Sequence, residues 1–207
     1  MKFENTEVWG FEHALRGMRN PMESWDRSDS GYIDKRFNDL FYIGPNDMKL
    51  MKTLIKAGPE HRKFLRQIFI SVDITAPLYW WKEFDTYKVG TVADSCSTMH
   101  KLKDTPITVD CFEMDDYCGF FETPWKNLIA LLEQCRKEYN ETKDKRYWKE
   151  LIRLLPESWL QKRTVTMSYE NVANMYSQRM NHKLTEWSKD FIQWADNLPY
   201  FKELFTV

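Results

Sequence analysis

Phe64-Leu65-Arg66-Gln67-Ile68-Phe69-Ile70-Ser71-Val72-Asp73-Ile74 carries the clearest period in the chain. Ile68, Ile70, Val72 and Ile74 alternate with Phe69, Ser71 and Asp73, and a period of two lines one sheet face with aliphatic side chains. A strand is therefore predicted from Phe64 to Ile74. Ala76-Pro77 follows at once and opens the aromatic run Leu78-Tyr79-Trp80-Trp81. Proline is tolerated in a first helical turn, so a helix is predicted from Leu78 to Phe84.

Working outward, the remaining punctuation defines mostly helices. On the N-terminal side, a helix is expected around Phe11 to Met18, ended by Asn20-Pro21. From there to Gly44-Pro45 the chain is polar and reads as a long loop, of the kind that is more often functional or interfacial than idle. Asn46 or Asp47 can cap the next helix, with Met48, Met51, Leu54 and Ile55 on one face and Ala57-Gly58-Pro59 as its stop. On the C-terminal side, helices are predicted from Trp125 to Tyr139 and from Lys143 to Leu155. A short strand follows at Arg163 to Met167, then a long, broken helical region from Tyr169 to Asp196. Many helices and few strands make an α+β class, and no linker divides the chain, so residues 1-207 are expected to form a single domain.

Composition excludes several function classes. The 30 basic residues nearly cancel the 31 acidic ones, leaving a formal charge of -1, so polyanion binding by bulk charge is not expected. No apolar run approaches the ~18 residues of a membrane span. Met1-Lys2-Phe3-Glu4-Asn5 shows no apolar core of a secretory signal, and the expected address is cytoplasmic. Cys96, Cys111, Cys118 and Cys135 form no C-x-x-C pair, so they read as reduced thiols, with no metal site implied. The seven glycines never come closer than seven positions, which rules out a Rossmann fingerprint or a P-loop. Aromatic residues make up 15% of the chain, enough to fill a core, cover a subunit interface or stack on a base or flavin.

No catalytic constellation stands out by local spacing. His13, His61, His100 and His182 are scattered. The tract from Thr86 through Tyr87, Lys88, Ser95, Cys96 and Ser97 to His100 is dense in hydroxyls and carries a thiol, groups that can hold phosphate or ribose. The plain alternative is a Ser/Thr-rich turn held by local capping bonds.

Leu155-Pro156, then Thr166, Ser168, Asn174 and Arg179, resemble the flavin-dependent thymidylate synthases. That family has a Leu-Pro before a strand carrying Thr-x-Asn, and then a helix with an Asn and, five residues on, an Arg. The spacing from Pro156 to Arg179 fits without a gap, with Ser168 standing where the family has its first Asn. Leu184-Thr185-Glu186-Trp187 loosely echoes the family's Ala-Gln-Trp-Glu, and Ala76-Pro77 with its aromatic helix is also similar. The signature itself departs: where the family has Arg-His-Arg, seven residues and a Ser, this chain has Asp85-Thr86-Tyr87 and Ser95, or Thr86-Tyr87-Lys88 and Cys96. In either register the arginines are missing. At ~1.5–3 kcal/mol for each charge-assisted hydrogen bond, two losses weaken binding by roughly two to four orders of magnitude unless Lys88, Lys101, Arg62 or Arg66 supply the charge.

The resemblance implies an antiparallel sheet packed by helices, a homotetramer, and reductive methylation of dUMP to dTMP. Methylenetetrahydrofolate would give the carbon, NADPH the electrons, and FAD would relay the hydride. It implies catalytic roles for Arg179 and Ser95, cofactor contacts from Asn174, Thr86, Tyr87 and Lys88, and substrate contacts from Ser95, Cys96, Ser97 and Arg179. At ~100° per residue, Asn174 and Arg179 lie about 140° apart on their helix and can border one ligand from adjacent sides. The plain alternative for Arg179 is a helix-surface ion pair. Two other functions stay open: a catalytically inactive nucleotide- or flavin-binding or structural homologue, and a different nucleotide-modifying enzyme on the same fold.

Overall fold

The computed structural model describes residues 1–34, 38–116 and 118–205. Strand β1 (Lys2–Trp9) leads through Gly10 into helix α1 (Phe11–Arg19), which buries Phe11, Ala14, Leu15 and Met18 at helical spacing. Gly10 has φ +97°, and a Cβ there would lie 2.1 Å from the Gln67 carbonyl oxygen, so only glycine makes this corner. The polar stretch read as a loop holds two short 3₁₀ turns and then an antiparallel hairpin, β2 (Gly31–Asp34) and β3 (Asn38–Tyr42), paired Gly31 to Tyr42 and Tyr32 to Phe41. Helix α2 (Pro45–Lys56) begins before the expected Asn46 or Asp47 cap: Gly44 is its N-cap and Pro45 opens its first turn, where a missing N–H costs nothing.

The strand predicted from Phe64 starts later. Lys63–Gln67 is a 3₁₀ turn that buries the adjacent pair Phe64 and Leu65, which an alternating strand would send to opposite faces. Strand β4 (Phe69–Pro77) then buries Ile70, Val72, Ile74 and Ala76 in strict alternation. Helix α3 (Leu78–Phe84) follows as predicted, with Pro77 as its cap. The hydroxyl-rich tract read as a loop contains strand β5 (Val92–Ser95) and the one-turn helix α4 (Thr98–Lys101). Helices α5 (Glu122–Thr142) and α6 (Lys145–Leu154), strand β6 (Leu160–Ser168) and helix α7 (Tyr169–Arg179) complete the predicted order. A π-helical turn (Glu186–Phe191), α8 (Ile192–Asp196) and α9 (Phe201–Phe205) end the described chain. The main sheet has order β1-β4-β6-β5, and the class is α+β, an antiparallel sheet packed by helices.

The chain forms two compact units from interleaved segments. The first comprises 1–2, 73–86 and 93–164. Its apolar centre gathers Leu102, Ile107, Phe112, Leu132, Leu151 and Trp159 under the α5–α6 pair. The second comprises 3–72, 87–92 and 165–207, with a core of aliphatic strand residues and the rings of Phe64, Tyr169, Trp187, Phe191 and Phe201. Among the described residues, no helix is long and apolar enough to cross a membrane, and the four cysteines are free thiols.

Candidate functional site

Helix α7 of the second unit organises a polar cluster. Its entry is set by Ser168, whose hydroxyl accepts from Asn171 N at 3.3 Å while Asn171 Oδ1 accepts from Ser168 N at 3.1 Å. This reciprocal capping box satisfies two backbone donors at the start of the helix. Glu170, Asn174 and Gln178 recur every fourth residue, so they stack on one face. At the N-terminal end of that face, Arg62 donates from Nε to Glu170 at 3.4 Å and from Nη2 to Asn174 Oδ1 at 2.9 Å. Arg66 also closes on Glu170 through Nε and Nη2, and that carboxylate raises the Arg66 pKa.

At the other end of the face, Tyr87 joins Arg179 and Gln178. The Tyr87 hydroxyl donates to Gln178 Oε1 at 2.9 Å and accepts from Arg179 Nε at 2.8 Å. The Arg179 guanidinium carbon lies 5.4 Å from the Tyr87 ring centroid and 4.8 Å from that of Trp187. Two rings that close present their negative faces to the cation, each contributing ~0.5–1 kcal/mol at a partly open site. Trp187 reaches this position from the π-helical turn, a rare geometry frequent at functional sites. The segment carrying Tyr87 is tied again further along, where Asn171 Nδ2 donates to the Val89 carbonyl at 2.8 Å. Gly90 turns there with φ +79°, 3.3 Å from Asn171 Oδ1 at its Cβ position.

The structure thus brings Tyr87, Asn174 and Arg179 onto one unit. Lys88 belongs to that unit and is exposed. Thr86, Ser95, Cys96 and Ser97 belong to the first unit. Thr86 Oγ1 donates to the Glu83 carbonyl at 2.7 Å, the local turn bond weighed as the plain alternative. Ser95 ends β5 in an exposed position. Ser97 caps α4 and lies 2.7 Å from His100 Nδ1. Cys96 and Ser97 line a cavity of about 520 Å³ together with Lys101, Trp159, Gln161 and others. Asp85, which would repel a phosphate, is ion-paired to Arg163 at 2.8 Å, and that guanidinium lies 4.2 Å from the Trp81 ring centroid.

Sequence reasoning missed Glu170, Gln178 and Arg163. The i, i+4, i+8 spacing of Glu170, Asn174 and Gln178 was the available signal for the first two; nothing local marks Arg163 as the partner of Asp85. Among the described residues, no group of three or more His, Cys, Asp or Glu side chains is arranged to hold a metal ion.

The whole chain is similar to solved structures, among them the following two. A crystal structure of the flavin-dependent thymidylate synthase ThyX from Helicobacter pylori, complexed with FAD and dUMP, superposes with a TM-score of 0.75, covering 100% of this chain and 98% of that one at 16% identity. A second ThyX structure from the same organism, also with FAD and dUMP, gives a TM-score of 0.75 at 17% identity. The chain has the ThyX fold. No family model and no curated protein sequence matches it.

Proposed function

We propose that this chain is a divergent protein of the flavin-dependent thymidylate synthase type, binding a dUMP-like nucleotide at Arg179 and a flavin beside Asn174. The reading extends to reductive methylation of dUMP to dTMP, with methylenetetrahydrofolate and NADPH as co-substrates. The observation that carries it is the clamp on Arg179, whose guanidinium is oriented by the Tyr87 hydroxyl and two aromatic rings. The end-to-end likeness to structures that hold FAD and dUMP supports it.

The donor chemistry of Asn174 fits a flavin. Its Oδ1 accepts from Arg62, so its Nδ2 is the donor side, suited to a ring carbonyl. Bound FAD would supply hydride transfer. Arg179 offers a planar fork of donors to a pyrimidine carbonyl and stabilises negative charge there, at no reorganisation cost when it is already oriented. Thr86, Lys88, Ser95, Cys96 and Ser97 retain the cofactor and substrate roles that the resemblance implies as proposals to be tested one by one.

A flavin absorption band in the purified protein, calorimetric binding of dUMP, and dTMP formation with all co-substrates are the expected results. Absence of both flavin and dUMP binding at millimolar concentration would sink the ligand assignment. A second reading, binding without methyl transfer, is favoured by Asp85 and Tyr87 in place of the signature arginines or, in the other register, Thr86 and Lys88. Binding with no dTMP formed would select it. A homotetramer is proposed with either reading, and light scattering over a wide concentration range tests it.

A further inference from the structure

Arg62 and Arg66 share a single carboxylate, and that leaves the N-terminal end of the α7 face with one uncompensated positive charge. Glu170 is 11% exposed and accepts from both guanidinium groups. Glu60 also acts on Arg66, but its own carboxylate is matched by Lys63 at 3.7 Å. Two arginines against Glu170, with Lys63 against Glu60, sum to one positive charge.

The donors are also only partly used. Each guanidinium carries five N–H groups in a flat fork. Arg62 spends its Nε and Nη2 on Glu170 and Asn174; Arg66 spends its Nε and Nη2 on Glu170. Glu170 therefore takes the inner edge of Arg66, whose side chain is 55% exposed and is held in place rather than free to wander. Side-chain entropy, which normally erodes the value of an exposed arginine, is thus already spent in forming the cluster.

We propose that Arg62 and Arg66 form a phosphate-binding site, in which Glu170 is the positioning residue that presents the outer edges of both guanidinium groups to a phosphate or diphosphate group. The ligand adds beside Glu170 instead of displacing it, and its first negative charge neutralises the cluster. Bidentate guanidinium–phosphate pairing matches this planar geometry. The inference deepens the nucleotide reading and rests on it only for the identity of the larger molecule. It also answers the loss of the signature arginines, since the phosphate charge would be met from the 3₁₀ turn before β4.

The test uses inorganic pyrophosphate, which has neither base nor flavin, so its result is independent of dUMP or FAD binding. Calorimetric titration of the full chain is expected to show saturable binding. Arg66→Gln should lower the affinity at least tenfold, and Arg66→Lys should fall between, because it keeps the charge and loses the fork. Lys56→Gln, an exposed charge at the end of α2, should leave affinity unchanged. The proposal is overturned if the wild type binds no pyrophosphate at ~10 mM, a concentration that registers even feeble sites. It is equally overturned if Arg66→Gln binds as the wild type does, or if Lys56→Gln weakens binding as much as Arg66→Gln. Should Arg66→Gln not fold, Arg62→Gln carries the same expectation.

Discussion

The Tyr87 hydroxyl lies 2.8 Å from Arg179 Nε and is the only atom of its side chain able to join that arginine to Gln178, which it reaches at 2.9 Å. Ninety-two positions separate the pair in sequence. One phenol therefore fixes the plane of a guanidinium that its own helix would leave to rotate.

Tyr87→Phe keeps the ring against Arg179 and Trp187 and removes both hydrogen bonds. The bond to Gln178 is neutral, worth about 0.5–1.5 kcal/mol net, and the one from the Arg179 guanidinium is charge-assisted, at most about 1.5–3 kcal/mol; both are at least partly open to water, so the melting temperature should fall only slightly. Affinity for dUMP should fall several-fold by calorimetry. Marked destabilisation with unaltered nucleotide binding would assign Tyr87 a purely structural task.

Arg179→Lys keeps the charge and loses the fork and the stacking plane. We expect an intact fold and assembly, with dUMP affinity at least tenfold lower, about 1.4 kcal/mol. Circular dichroism and light scattering check the first part, and calorimetry the second. Equal affinity in the two proteins would remove Arg179 from the site.

The buried pair Arg19–Asp47 should dominate the stability of the second unit. Asp47 is fully buried, accepts from Arg19 Nε at 2.7 Å, and takes the hydroxyls of Ser28 and Ser30 at 2.6 Å each. Asp47→Asn leaves the Arg19 charge buried without its counter-ion, a change that costs about 3–5 kcal/mol. Urea unfolding measures it; a loss below about 1 kcal/mol would mean that water reaches Arg19.

Acid should weaken the protein through two carboxylates. The Arg136 hydrogen bond lowers Glu133 from 4.5 to about 2, with the Ile107 N–H assisting against desolvation. Burial pushes Asp47 up, but Ser28, Ser30 and Arg19 together hold it below its ordinary value. A depressed carboxylate stabilises the fold above its unfolded pKa, and that contribution disappears as pH falls through the folded one. For Glu133 the window runs from 4.5 down to about 2. Glu133→Gln should be less stable at neutral pH and show a shallower acid decline. An unchanged acid profile would acquit this pair.

How much was legible depended on whether the determining contacts were local. The alternation of Ile70, Val72 and Ile74 and the Pro77 boundary of α3 are set by backbone preference and period, and each reads directly from neighbours. β1 and β5 were missed because they are the outer strands of the sheet and bury little, so they leave no apolar period. The β2–β3 hairpin is a separate two-stranded sheet whose strands, GYID and NDLFY, are too short to show a period of two.

The sequence by itself determined the α+β class, the Pro156-to-Arg179 frame and the candidates Asn174 and Arg179, because strand and helix periods and fixed spacings are properties of adjacent residues. Only the tertiary structure decided that Tyr87 and Trp187 clamp Arg179, that Arg163 neutralises Asp85, and that Arg62 and Arg66 meet on Glu170. Apart from Trp187, which follows Arg179 by eight residues, those partners lie far apart along the chain, and a salt bridge or a stacked ring has no period that could announce it. Their pairing depends on where β4, α7 and the π-helical turn bring the side chains, which is a property of packing rather than of sequence order.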